Sequence, residues 1–451
     1  QAQTFPGSLI PRFPRSLLFS SPDSLLLVIL VLALFFRLFH FFSLPFGTWY
    51  DEAEAGIQAR RMVQDPTFRP VFWEAIDLPA HLLYLFSFSF RAFGASTPAL
   101  RVIPVLFGVG GVLFAYLFGR EWQGRRWGLL LAFLAAVMRW DVNFSRIAMT
   151  GIDTPFFEFA TLYFATRTLR GDRGTLQPVA WTGLSLGLGL CFFGAFRLFV
   201  VALVFFGLWW LAARGIDHHQ SGSDPPLWRP LALRLGLLFV AAWLAAMPIA
   251  QFALRHGDVF WQRTRMVSIF ERRDEPELAR ALAQNAQKHL LMFNYKGDPN
   301  GRHNLPGAPI LDRLSAVLFA LGLGLAVARR KPANVFFLLL LPVGLAGGIF
   351  SLDFEAPQSL RSIAALPAVV YFIALSLDAL WLELKWSARV VRPHYSLIPV
   401  ALGLGVIAAS NGLTYFGRQA HDYAVWQAFS VAETLVGKRM AELGLEPVYY
   451  L

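Results

Sequence analysis

Residues 24–54 read SLLLVILVLALFFRLFHFFSLPFGTWYDEAE. Almost every position up to Phe46 is apolar, and about 20 apolar residues in a helix cross the hydrocarbon of a bilayer. The run is too long for a removable signal peptide and carries no cleavage motif. Two adjacent carboxylates, Asp51 and Glu52, follow it directly. The stretch reads as a membrane-spanning helix that delivers acidic residues to the membrane surface, where charge is costly and tends to be functional.

Working outward, further apolar stretches lie near 98–119, 127–145, 155–169, 178–195, 198–213, 233–253, 312–328, 333–350, 363–382 and 396–415. About eleven spans would use roughly 220 residues, and the 451-residue chain can supply them and still carry sizeable loops. The chain is 56% hydrophobic and 15% charged, against about 25% charged for a soluble domain. A disordered chain, a disulfide scaffold and a single soluble domain are excluded. The fold class expected is an all-α polytopic membrane protein of about eleven transmembrane helices, with outer-face juxtamembrane helices. The segment 80–93, AHLLYLFSFSFRAF, is too short to cross and reads as one of these.

The net charge is +11. The basic residues cluster in alternate loops: Arg12/Arg15, Arg120/Arg125/Arg126, Arg167/Arg170/Arg173, Arg214/Arg229/Arg234, Arg329/Arg330/Lys331 and Lys385/Arg389/Arg392. The positive-inside rule accounts for this without nucleic acid as a partner. It sets the N-terminus inside and the C-terminus outside. The organisation expected is a cytoplasmic segment 1–23, a transmembrane module 24–253 with a first outer loop 47–97, a long outer loop 254–311, transmembrane helices over 312–415 and an outer tail 416–451. The chain starts at Gln1 rather than at Met and ends abruptly at Leu451, so further residues at either end are allowed for. The single cysteine, Cys191, can form no internal disulfide. With no soluble catalytic domain in view, chemistry falls to the outer loops.

Asp51 has two compatible readings, the N-cap of a helix over about 52–63 and a general base. Asp153, with Arg146, returns to the same face after the third span. Asp153 followed by Pro155 also suits a helix start. The long outer loop carries Arg263, Arg265, Arg272, Arg273, Lys288, Lys296, Arg302 and His303. A basic outer loop runs against the positive-inside bias. A phosphate ligand explains it, as does contact with anionic headgroups of membrane lipids. Arg361 and Arg197 stand just before or at the start of spans, as phosphate ligands or as snorkelling arginines. Asp217-His218-His219 has metal-capable side chains, but they are adjacent and predicted cytoplasmic, so no metal site is expected.

The order of these features resembles a known family. It runs span, Asp-Glu, interfacial helix, Ala-Leu-Arg at 99–101, span, Gly-Arg then Gly-Arg-Arg within 119–126, span, Ser-Arg-Ile-Ala at 145–148, Asp-x-Pro at 153–155, span. This is similar to the membrane-embedded C-type glycosyltransferases, especially the protein O-mannosyltransferase and lipid A aminoarabinose transferase group. The likeness is strongest over about 30–200. It implies transfer of a sugar from a polyprenyl-phosphate lipid to a protein, lipid or glycan acceptor, on the outer face of a bacterial inner membrane. It implies Asp51 as the catalytic aspartate, with Glu52 and Asp153 as catalytic candidates. Donor-phosphate candidates are Arg361, Arg302, His303, Lys296, Arg146 and Arg197. No cofactor is implied beyond the lipid-linked sugar as substrate, with a divalent metal left open. The family's Lys-Pro-Pro-Leu-like motif is here Asp77-Leu78-Pro79-Ala80-His81, without the lysine. The alternative is a catalytically inactive scaffold or accessory subunit of a larger membrane complex. A transporter would show paired repeats and broken mid-membrane helices.

Overall fold

The computed structural model describes residues 24–170, 175–218, 228–272, 275–388 and 397–444. Arg12, Arg15, Arg173, His219, Arg273, Arg389 and Arg392 lie outside the described residues. Each apolar stretch holds a helix: α1 (Ser24–Leu38), α4 (Thr97–Gln123), α5 (Arg125–Val137), α7 (Asp153–Arg170), α8 (Gln177–Gly189), α9 (Phe196–His218), α10 (Trp228–Arg255), α13 (Arg313–Arg329), α14 (Pro332–Ile349), α15 (Leu366–Ala388) and α16 (Leu397–Gly412). Those at Thr97–Gln123, Phe196–Ala213, Ala232–Arg255, Pro332–Ile349, Ile363–Leu384 and Ile398–His421 are long and apolar enough to cross a membrane.

The segment 80–93 forms α3 (His81–Phe93), whose 13 residues rise only about 20 Å. It packs on α4 and on α2 (Tyr50–Gln64). Between α2 and α3 lies a small antiparallel hairpin, β1 (Phe72–Trp73) and β2 (Leu78–Pro79). Asp77 turns it at φ 52°, a left-handed conformation that Asp tolerates better than most residues.

The centre of the bundle is α15, buried at every residue from Leu366 to Asp378. At the periphery α9 and α10 leave Leu208 and Phe239 59% and 64% exposed, which lipid tolerates and water would not. Against α10, α8 presents Gly183 and Gly187, where a Cβ would strike the carbonyls of Leu238 and Ala242. Small residues four apart let two backbones approach this closely in a bilayer.

The first span is shorter than its apolar run, ending at Leu38 rather than near residue 46. Arg146 draws the following backbone into a turn, donating to the carbonyls of Phe36, Phe39 and Leu44. Within α1, Arg37 pairs with Asp141 of α6 (Arg139–Phe144) at 2.5 Å. It also donates to the carbonyls of Ala135 and Ala136, which the break between α5 and α6 leaves without helical partners. A charge inside the membrane is thus paired with a carboxylate and with backbone carbonyls.

The long loop 254–311 is more ordered than its polar, turn-rich sequence suggests. It contains α11 (Gly257–Val267) and α12 (Glu275–Leu291). Asn285 of α12 donates to the carbonyls of Ile349 and Ser351. The segment 416–444 is likewise no loose tail. Its helix α17 (Tyr423–Ala428) places Val425 beside Ile147, Phe429 and Val431, with Trp49 packed against them.

Candidate active site

Helix α2, the hairpin, α11 and the segment 358–361 close around a cavity of about 330 Å³. Asp51 enters it from the first turn of α2, Trp73 and Leu78 from the hairpin, and Ala148 and Thr150 from the turn before α7. Arg197 comes from the start of α9, Arg263 from α11, and Gln358 and Arg361 from the loop before α15.

Asp51 does not cap its helix. The helix begins at Tyr50 with Trp49 as N-cap, and Glu52 reaches back to accept the Trp49 N–H at 3.0 Å. Asp51 makes no hydrogen bond or ion pair among the described residues and is half-buried, so its carboxylate remains available at the cavity wall. Glu52 has the opposite fate. It is fully buried and takes a two-pronged contact from Arg101, at 2.9 and 2.8 Å, and the Ala148 N–H at 2.7 Å. Arg101 also donates to the carbonyls of Pro45 and Gly47. Glu52 therefore ties α2, α4 and the 148–150 turn together and does not face the cavity.

Asp153 stands one layer behind the wall. Its carboxylate accepts the N–H of Gly151 at 2.7 Å and of Phe193 at 3.1 Å. It fixes the two turns that present Thr150 and Phe193 to the cavity without lining it. Arg146 is spent on the carbonyls after α1. Its guanidinium lies 5.5 Å from the Tyr415 ring. Arg197 lines the cavity and sits over the rings of Phe260 and Trp261, at 4.5 and 5.3 Å.

Of the long-loop cations, Lys296 is exposed and outside the cavity. Arg302 stacks on the Trp49 ring at 3.5 Å. Burial pulls its guanidinium below the ordinary value, while Asp51, Asp298 and Glu355 push the other way. It therefore feels Asp51 electrostatically without reaching the cavity wall. His303 donates from Nδ1 to the Asp298 carboxylate, 3.0 Å away, and both are buried. Arg361 pairs with Glu355 at 2.6 Å. Burial lowers its guanidinium and Glu355 opposes that.

Asp298 organises this corner. Its carboxylate accepts the N–H and hydroxyl of Ser359 at 2.7 and 2.8 Å, and the Asn300 N–H at 2.8 Å. His289 of α12 accepts the adjacent Gln358 N–H at 3.0 Å. Burial pushes the Asp298 carboxyl up, but His303, Ser359 and Asn300 outweigh it and hold it below its ordinary 3.8. A depressed folded value means stability that is present above the unfolded value and lost as pH falls through the folded one. Asp298→Asn is therefore expected to cost about 2–3 kcal/mol at neutral pH. The difference from the unmutated protein should shrink below about pH 4. Thermal unfolding of both proteins across pH checks it, and a pH-independent difference would refute the carboxylate's role.

The hairpin wall and Gln358 were not legible as site elements. The two-residue strands are too short to show an alternating pattern, and Gln358 carries no chemical signature. Arg263 is one of twelve Lys, Arg and His residues in its loop, and nothing local singles it out. Among the described residues no three His, Cys, Asp or Glu side chains gather as a metal-binding group.

No protein-family model matches the chain, and no curated protein matches it in sequence. Solved structures do. ArnT from Cupriavidus metallidurans in the apo state superposes with a TM-score of 0.58 at 14% identity, over 95% of this chain and 82% of that one. The same protein bound to undecaprenyl phosphate gives 0.55 at 15%, over 95% and 81%. The archaeal oligosaccharyltransferase AglB from Archaeoglobus fulgidus, in complex with an inhibitory peptide and a dolichol-phosphate, gives 0.49 at 15%, over 95% and 61%. The chain is a helical integral membrane protein with the fold of the C-type glycosyltransferases. The likeness read from the order of its loops holds at the level of fold.

Proposed function

We propose that this protein is a glycosyltransferase that moves a sugar from a polyprenyl-phosphate lipid to a protein, lipid or glycan acceptor. The reading places the cavity on the outer face of a bacterial inner membrane, opposite the basic loops. The observation that carries it is the meeting of two carboxylates, Asp51 and Asp77, with three arginines, Arg197, Arg263 and Arg361, around a single cavity. Asp51 takes the proton of the acceptor hydroxyl. The acceptor oxygen bonds to the anomeric carbon, and the bond from that carbon to the phosphate oxygen breaks. The phosphate leaves with the electron pair, its charge stabilised by the arginines. The donor arrives activated, so the chain needs no nucleotide cradle.

Leu78, at the position where the family's motif has its lysine, lies on the cavity wall. Three arginines from other elements supply cationic charge around the same space. Arg361→Ala is expected to weaken binding of undecaprenyl phosphate by about 1.5–3 kcal/mol, or roughly 10- to 150-fold in Kd. Titration of the purified protein with that lipid measures it. Unchanged binding would remove the donor site from this cavity. The second reading, a transferase-like scaffold or accessory subunit of a larger membrane complex, draws on the missing lysine. It predicts that the unmutated protein shows no transfer with any lipid-linked sugar and co-purifies with partner chains.

A further inference from the structure

The bundle carries a second cavity, of about 460 Å³, at the end opposite Asp51. Helix α14 runs between the two, with Ala333 lining one and Gly347 the other, about 20 Å apart along the helix. We propose that this second cavity is an anion site that binds a phosphate group. The proposal stands independently of the transferase reading.

The cations come first. Arg126, Arg170, Arg329 and Lys331 line the cavity, against the single carboxylate of Asp378. Asp378 is already neutralised by an ion pair with Arg126. Positive-inside bias explains basic residues in these loops, but it does not explain what they surround.

The first turn of α14 also opens here, through Pro332, Ala333 and Asn334. Val335 is the first residue whose N–H is taken up by the turn, donating to the Lys331 carbonyl at 3.0 Å. The unpaired N–H groups before it, with the positive end of an 18-residue helix dipole, favour an anion.

The decisive group is the Asn334 side chain. It is 2% exposed. Its Oδ1 accepts the Tyr371 hydroxyl at 2.7 Å, which orients the amide. Its Nδ2 has no hydrogen-bond partner among the described residues. A buried donor without a partner is uncommon and calls for one. An acceptor oxygen inside this cavity would satisfy it, and phosphate offers such oxygens to cations and N–H groups together. Leu375 and Leu382 complete the wall with apolar surface, which suits the acyl chains of a lipid phosphate. Free phosphate shares the headgroup chemistry.

The test uses the full chain purified in detergent. Retention of phosphatidylglycerol against phosphatidylcholine is read by native mass spectrometry. The response to inorganic phosphate is read as a shift in thermal midpoint. Two variants are compared: Asn334→Asp, which keeps an acceptor for Tyr371 but sets a negative charge in the site, and the exposed pair Arg329→Gln with Lys331→Gln. Preferential retention of phosphatidylglycerol is expected, falling about tenfold or more in each variant. A midpoint shift with inorganic phosphate, lost in both variants, would assign the site to the free anion. Retention and midpoint unchanged by either variant would overturn the proposal. Should Asn334→Asp fail to fold, the double glutamine variant decides alone.

Discussion

Asp51→Asn is expected to lower sugar transfer by about 10²-fold or more, the scale of a lost general base, while leaving stability almost untouched. Both halves follow from the geometry. The carboxylate faces the cavity, so the substitution removes a base with little change of shape. It makes no hydrogen bond or ion pair among the described residues, so folding loses no contact and the stability change should stay within about 0.5 kcal/mol. The measurement pairs a transfer assay, using a labelled polyprenyl-phosphate sugar, with thermal unfolding of the same preparation. Near-normal transfer by the variant would end the catalytic assignment. A large fall in thermal midpoint would show a structural role instead.

The neighbouring residue should behave in reverse. Glu52→Ala leaves the Arg101 guanidinium buried without its carboxylate and strands the N–H groups of Trp49 and Ala148. Removing one partner of a buried pair costs about 3–5 kcal/mol, a large share of a protein's net stability. The expected result is a sharp fall in thermal midpoint and in the amount of folded protein recovered from membranes. Any loss of transfer should track the loss of folded protein. If Glu52→Ala purifies with an unchanged midpoint, the pair is not what joins α2 to α4. In sequence the two carboxylates are adjacent and chemically alike. Successive helix positions point about 100° apart, so one faces the cavity and the other the bundle.

The same contrast runs through the candidate residues. Arg361 and Arg197 line the cavity with Asp51, while Lys296, Arg302 and His303 do not. All five were candidates as basic residues expected on the outer face, Lys296, Arg302 and His303 from the long loop and Arg361 and Arg197 from their places beside spans. That argument is about the side of the membrane, and it cannot separate a residue facing a cavity from one stacked on Trp49 or paired with Asp298. Arg146 and Asp153 were picked for returning to the right face. Asp153 lies just behind the cavity that Asp51 lines, and backbone groups claim both side chains first. Arg263 and Gln358 were hidden because α11 and the 358–361 segment reach the cavity through tertiary packing, with His289 of α12 accepting the Gln358 N–H.

What the sequence determined by itself is the membrane character, the helical class, the order of the apolar helices and the likeness to the C-type glycosyltransferase fold. Each of these rests on local properties: apolar runs about 20 residues long, basic residues in alternate loops, and short motifs in a fixed order. The tertiary structure alone decided which polar groups are free to do chemistry. Asp51, Arg197, Arg263 and Arg361 come from four separate elements, and their convergence depends on how α2, α9, α11 and the loop before α15 pack. A polar side chain near a bilayer is claimed by whichever donor or acceptor lies closest, since leaving it unpaired in a dry place is expensive. Distance in space makes that choice, and a linear sequence holds no record of it.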